Sequence, residues 1–167
     1  MNIFIDTEWF HTQKIFLIGY AYNLKIKGQL YDKQLTKKNF LNLIKPVKES
    51  NGYIFFYGPD IGMLEKNFNI DIRNNYKCCN ILKLFKRNLK LKSYKLAYIE
   101  KIYGLNRSMP EYKTNIFRMI RDWNNPKYRQ RALIYNYEDV INLIKVFRFI
   151  LKKHNISLEK INDCILK

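Results

Sequence analysis

Acidic residues are scarce in this chain. Its 167 residues hold 14 Asp and Glu against 31 Lys and Arg, a formal net charge of +17. Such a balance points to a polyanionic partner, with nucleic acid ahead of an anionic membrane surface. A coding bias toward Lys, Asn and Ile would produce part of the same excess. Cysteine is sparse too: Cys78, Cys79 and Cys164 make an odd number, two are adjacent, and no CxxC occurs. This argues against a disulfide framework and a zinc site, and makes the reducing cytoplasm the expected compartment. No basic stretch precedes the first apolar segment, so no secretory leader is expected. No apolar run approaches the ~18 residues of a membrane-spanning helix. Repeats, linkers and low-complexity blocks are absent, which leaves one domain over residues 1–167 as the simplest organisation.

What is present suits a globular core: 47% hydrophobic and 16% aromatic residues. Residues 2–5 are apolar and β-prone. The stretch from Lys14 to Ile26 is rich in β-branched and aromatic residues, and Gly28 marks a turn before "KGQLYDKQL" ends; together they predict a hairpin beside the first strand. "KKNFLNLIKPV" has helical spacing and an expected stop near Pro46. "GYIFFYG" predicts a buried strand, and "PDIGMLEKNF" a helix opened by Pro59. "CNILKLFKRNL" and "SYKLAYIEKIYG" predict two more helices, the second with Ser93 as cap and Gly104 as terminator. "LNRSMPEYK" reads as a loop. From Asn125–Pro126 to His154, apolar residues at helical spacing predict one long helix, bent near Asn136. A short terminal helix, about residues 156–167, would dock on the core. Three strands, a helix, a strand and further helices give an α/β sheet flanked by helices.

Against this background the few acids are informative. In "IFIDTEW", Asp6 and Glu8 stand two apart on a strand and therefore share a face. Adjacent carboxylates repel and resist burial, a conflict that a divalent cation with a preference for oxygen removes; solvated acids on an edge strand are the plain alternative. Asp60 follows the "YIFFYG" strand, where ligands bind in α/β sheets, and is equally suited to a helix N-terminus. In "YNYED", Tyr135 and Asp139 are four apart and share a helix face.

The order of these groups resembles the DnaQ-like DEDD exonucleases in their tyrosine (DEDDy) form, with the ribonuclease H-like fold: a mixed β-sheet flanked by α-helices. "FLIGYAY", "FYGPDIGMLE", "LKSYKLAYIEKIYGLNRS" and "IYNYEDVINL" further resemble the YprB-like branch. Two departures stand out. Trp9, Phe10 and His11 follow the first acids where the family usually has Thr-Thr-Gly, and Pro59 precedes Asp60.

The resemblance implies that Asp6, Glu8, Asp60 and Asp139 hold two Mg²⁺ or Mn²⁺ ions, and that Tyr135 holds the attacking water in line. It implies 3′–5′ exonuclease activity on a single-stranded 3′ end of DNA or RNA. Arg107, Arg118, Arg121, Lys127, Arg129 and Arg131 are candidates for the nucleic-acid backbone, each also explicable as a solvated face. Trp9 and Phe10 are candidates to stack on the terminal base, or to serve as core aromatics. The alternatives are a nucleic-acid-binding module of the same fold, weakly active or active only in a complex, and a structure-selective endonuclease.

Overall fold

A computed structural model describes residues 1–113 and 115–166, apart from the Lys113 side chain. The elements, in order, are β1 (Ile3–Trp9), β2 (Ile15–Ala21), β3 (Lys27–Tyr31), α1 (Lys37–Glu49), β4 (Tyr53–Phe56), α2 (Asp60–Phe68), β5 (Lys77–Asn80), α3 (Ile81–Asn88), α4 (Leu96–Ile102), α5 (Ile116–Asn124), α6 (Arg129–Lys153) and α7 (Leu158–Asn162). The sheet order is β3-β2-β1-β4-β5. β1, β2 and β3 pair antiparallel, whereas β4 pairs parallel to β1 and β5 parallel to β4. This is the expected mixed sheet flanked by helices.

The period-two alternation of β1 separates two cores. Ile3 and Ile5 pack with Phe40, Ile44 and Val47 of α1 and with Ile61 and Leu64 of α2. Phe4, on the other face, packs with Val140, Leu143, Ile144 and Phe147 of α6 and with Leu84 and Phe85 of α3. β1 is thus the buried central strand, and its polar residues cannot be edge decoration.

Several boundaries differ from the sequence expectation. β1 continues through the acids to Trp9. Pro46 lies inside α1, which runs on to Glu49; burial of Val47 at 0% exposure compensates for the missing backbone donor. Lys77–Asn80, which includes two residues read as helix, forms β5, and Asn80 then caps α3 by accepting from the Leu82 and Lys83 amides. α5 was unforeseen; Asn115 caps it through the Arg118 amide. α6 starts at Arg129 rather than Pro126, and Lys95, not Ser93, precedes α4. After α7, Ile165 bridges Cys79, and the Leu166 amide donates to the Cys78 carbonyl at 2.8 Å, covering the open edge of β5. No described helix is long and apolar enough to cross a membrane.

Candidate active site

β1 and β4 pair only through Ile3–Ile54 and Phe4–Phe55. Beyond that point the strands part at their carboxyl ends, where α/β sheets take ligands. The Thr7 amide turns instead to Asp60 in the first turn of α2, donating to Oδ1 at 3.2 Å, and the Thr7 hydroxyl donates to the same oxygen at 2.6 Å. Asp60 is therefore both a helix N-terminal acid and a residue tied to the strand end. On the opposite face of β1, Asp6 and Glu8 project toward α6, which brings up Asp139. One carboxylate oxygen from each of Asp6, Glu8 and Asp139 lies within 4.8 Å of the others. These acids, Asp60 and Tyr135 line one cavity of about 230 Å³, which Thr7, Trp9, Tyr57 and Tyr112 also border.

The site is electrostatically strained. Burial, then the charge of Asp139, pushes the Asp6 and Glu8 carboxyls well above the ordinary range, with Arg107 opposing. Burial pushes Asp60 up to about 7 against the two hydrogen bonds from Thr7. Asp60 Oδ2 is buried and has no hydrogen-bond partner among the described residues. Clustered oxygen donors, depressed ionisation and an orphaned carboxylate oxygen together fit a divalent-cation site. Burial, then Asp139, also raises the Tyr135 phenol, so Tyr135 can donate a hydrogen bond at neutral pH but cannot act as a base.

Stability of the metal-free protein should accordingly fall as pH rises. Asp60 titrates near 7 when folded and near about 4 when unfolded. Between those values the folded state holds a proton that the unfolded chain releases. This contribution is complete below about pH 4 and is lost as pH passes the folded value; Asp6 and Glu8 act in the same sense. Thermal unfolding in EDTA from pH 5 to pH 8 should show a falling Tm, with a shallower slope in Asp60→Asn. A flat or rising Tm in the native sequence would contradict the burial of charged carboxylates.

The basic residues occupy three settings. Arg107, expected on the nucleic-acid surface, is turned inward: its side chain is 1% exposed and contacts both Glu100 and Asp139. Its Nε donates to Glu100 Oε2 at 2.8 Å, and its guanidinium lies 4.8 Å from the centroid of the Tyr135 ring. The reason is local charge: Glu100 is fully buried and Asp139 nearly so, and both need a cation. Arg121 in α5, Lys127 in the turn that follows and Arg131 in the first turn of α6 are exposed, Arg121 standing 3.4 Å from Asp122. Arg129 pairs with Asp32 at 2.7 Å, and Arg118 stands 3.7 Å from Glu111. Of the two early aromatics, Trp9 borders the acid cavity, whereas Phe10 packs on Phe16 with a 4.6 Å ring separation. His11 sits beside the exposed Phe117 at 5.1 Å, and His154 ends α6.

Sequence reasoning missed Thr7 and Asn136. Asn136 is fully buried and donates from Nδ2 to Asp6 Oδ2 at 2.8 Å. One signal was present: Asn136 and Asp139 are three apart and share a helix face.

A mixed sheet with acids gathered where its central strand parts from its parallel neighbour defines an α/β fold of the ribonuclease H-like type. The chain belongs to the RNase_H superfamily, whose profile matches residues 3–151. Among solved structures, one described as the apo form of a nuclease is similar, with a TM-score of 0.65 at 14% identity over 98% of this chain and 79% of that one. Exonuclease X in complex with 5′-overhanging duplex DNA is also similar, with a TM-score of 0.52 at 14% identity over 99% of this chain and 100% of that one. At such identity these likenesses speak for the fold. No curated protein sequence matches the chain significantly.

Proposed function

We propose that this chain is a metal-dependent 3′–5′ exonuclease of the DEDDy type, a single domain that removes terminal nucleotides from single-stranded DNA or RNA. The observation that carries this reading is the gathering of Asp6, Glu8 and Asp139 oxygens within 4.8 Å, in the cavity that Asp60 and Tyr135 share. Asp6, Glu8, Asp60 and Asp139 would hold two Mg²⁺ or Mn²⁺ ions. Bound there, such ions supply Lewis acidity toward a phosphoryl oxygen and a water that is nucleophilic at neutral pH.

The chain's own residues do the rest. Thr7 holds one Asp60 oxygen and leaves the other buried with no hydrogen-bond partner among the described residues. Tyr135, kept protonated, donates to the attacking water and holds it in line with the scissile bond. Trp9, at the cavity wall, offers a ring face to the terminal base. Exposed Arg121, Lys127 and Arg131 draw in the phosphate backbone, in keeping with the excess of cations. Arg107 serves the acids instead. The three cysteines are free and buried, which suits a cytoplasmic protein.

The test is a time course on 3′- and 5′-labelled single-stranded DNA and RNA, and on duplex DNA with a 5′ overhang, in Mn²⁺, Mg²⁺ or EDTA. Metal-dependent shortening from the 3′ end is the expected result and identifies the preferred sugar. Binding without cleavage under every metal would replace this reading with the nucleic-acid-binding module. Internal cleavage would replace it with the endonuclease.

A further inference from the structure

The Asp6 carboxylate is not left to orient itself. Asn136 donates to Asp6 Oδ2 at 2.8 Å, and its Oδ1 accepts from Gln29 Nε2 at 3.0 Å. The same Gln29 nitrogen donates to the Leu133 carbonyl of α6 at 2.8 Å. A carbonyl only accepts, so the end of Gln29 that faces α6 has to be the NH₂. That NH₂ only donates, so it requires Oδ1 from Asn136 and thereby turns Nδ2 toward Asp6. The polarity of the chain of bonds is set at both ends, by a backbone carbonyl outside and by the Asp6 carboxylate inside.

The sheet makes room for this arrangement. Gly19 lies directly opposite Asp6 on β2, and a Cβ there would stand 2.3 Å from Asn136 Oδ1. Asn136 has 0% exposure, so in the native chain its amide is satisfied by protein groups and not by water. With the Gln29 amide removed, Asn136 Oδ1 would lose its donor, and only Asp6 would hold the Asn136 amide in place. Asp6 would then be aimed less firmly.

We propose that Gln29, acting through Asn136, is a positioning residue for Asp6: it keeps Oδ2 occupied and Oδ1 directed into the acid cluster. The cation affinity of the cluster then depends on a side chain of the outer strand β3 that touches neither cation nor substrate. This rests on reading the cluster as a cation site.

The test is Mn²⁺ titration calorimetry on the full chain, with the native sequence beside Gln29→Glu and Gln29→Leu. Glutamate is isosteric but only accepts, and it adds a negative charge that by itself would tighten Mn²⁺ binding. The relay predicts the opposite sign: affinity lower by roughly 10-fold, as for other outer partners of metal ligands. Gln29→Leu, which carries no charge, should weaken binding as well. Activity at limiting Mn²⁺ should fall through kcat and return at high Mn²⁺, with the KM for the nucleic acid unchanged; thermal unfolding in EDTA confirms that both variants fold. Equal or tighter Mn²⁺ binding by Gln29→Glu would overturn the relay. Absence of Mn²⁺ binding by the native chain would overturn the cation site itself.

Discussion

Asp6→Asn should abolish metal-dependent hydrolysis and, in the same molecule, raise the Tm of the metal-free protein at pH 8. The two effects share one cause. Asp6 lies in a cluster whose oxygens come within 4.8 Å of one another. At an effective dielectric constant of about 20, a pair of like charges at that distance repels by roughly 3 kcal/mol. Asparagine keeps the shape, and its carbonyl can still accept the hydrogen bond from Asn136, but the repulsion and the cost of a buried charge disappear. A gain of several degrees is therefore expected. Activity should fall by at least about a thousandfold, ~4 kcal/mol of transition-state stabilisation. Differential scanning in EDTA beside the labelled-strand assay checks both halves. A variant that is less stable without metal would mean that Asp6 serves the fold, and a variant that still cuts would remove Asp6 from the site.

Arg107→Met should produce the largest loss of stability of any single change near the cavity. The guanidinium is buried between Glu100 and Asp139. Breaking a buried pair by removing one partner costs about 3–5 kcal/mol, or a Tm lower by on the order of 10 °C for a chain of this size. Adding Glu100→Leu should restore part of that loss, because an apolar replacement of similar volume is often neutral where a broken pair is not. A double-mutant cycle by chemical denaturation measures the coupling. Arg121→Ala is the contrast: its side chain is 73% exposed and stands 3.4 Å from Asp122, a screened pair worth about 1 kcal/mol at most, so stability should nearly hold while the salt slope of nucleic-acid binding falls by about one. Equal stability of Arg107→Met and the native chain would show that the pair contributes nothing.

The contrast between Arg107 and Arg121 marks where sequence reading stops. Asp6 with Glu8, and Tyr135 with Asp139, were legible because each pair is fixed by a local period of strand or helix. That the pairs meet in one cavity followed from their order along a recognisable chain pattern. Arg107 has no such local rule. It reaches Asp139 across a sequence separation of 32 residues, and nothing in "GLNRS" distinguishes an inward arginine from an outward one. Gln29 and Asn136 are 107 apart and equally silent. β5 was missed because four residues with two cysteines carry little β signal and run straight into a helix. Pro46 misled because tertiary burial of α1 outweighs one lost backbone bond.

The bond from Asn136 to Asp6 spans 130 residues of chain, and this separation orders events in time. A chain emerging from the ribosome carries Asp6 and Glu8 well before the amide that aims the first and the aspartate that completes the cluster, both of which come with α6. Closing so long a loop comes late in folding. The acid cluster therefore assembles in one step, and only after α6 has been made.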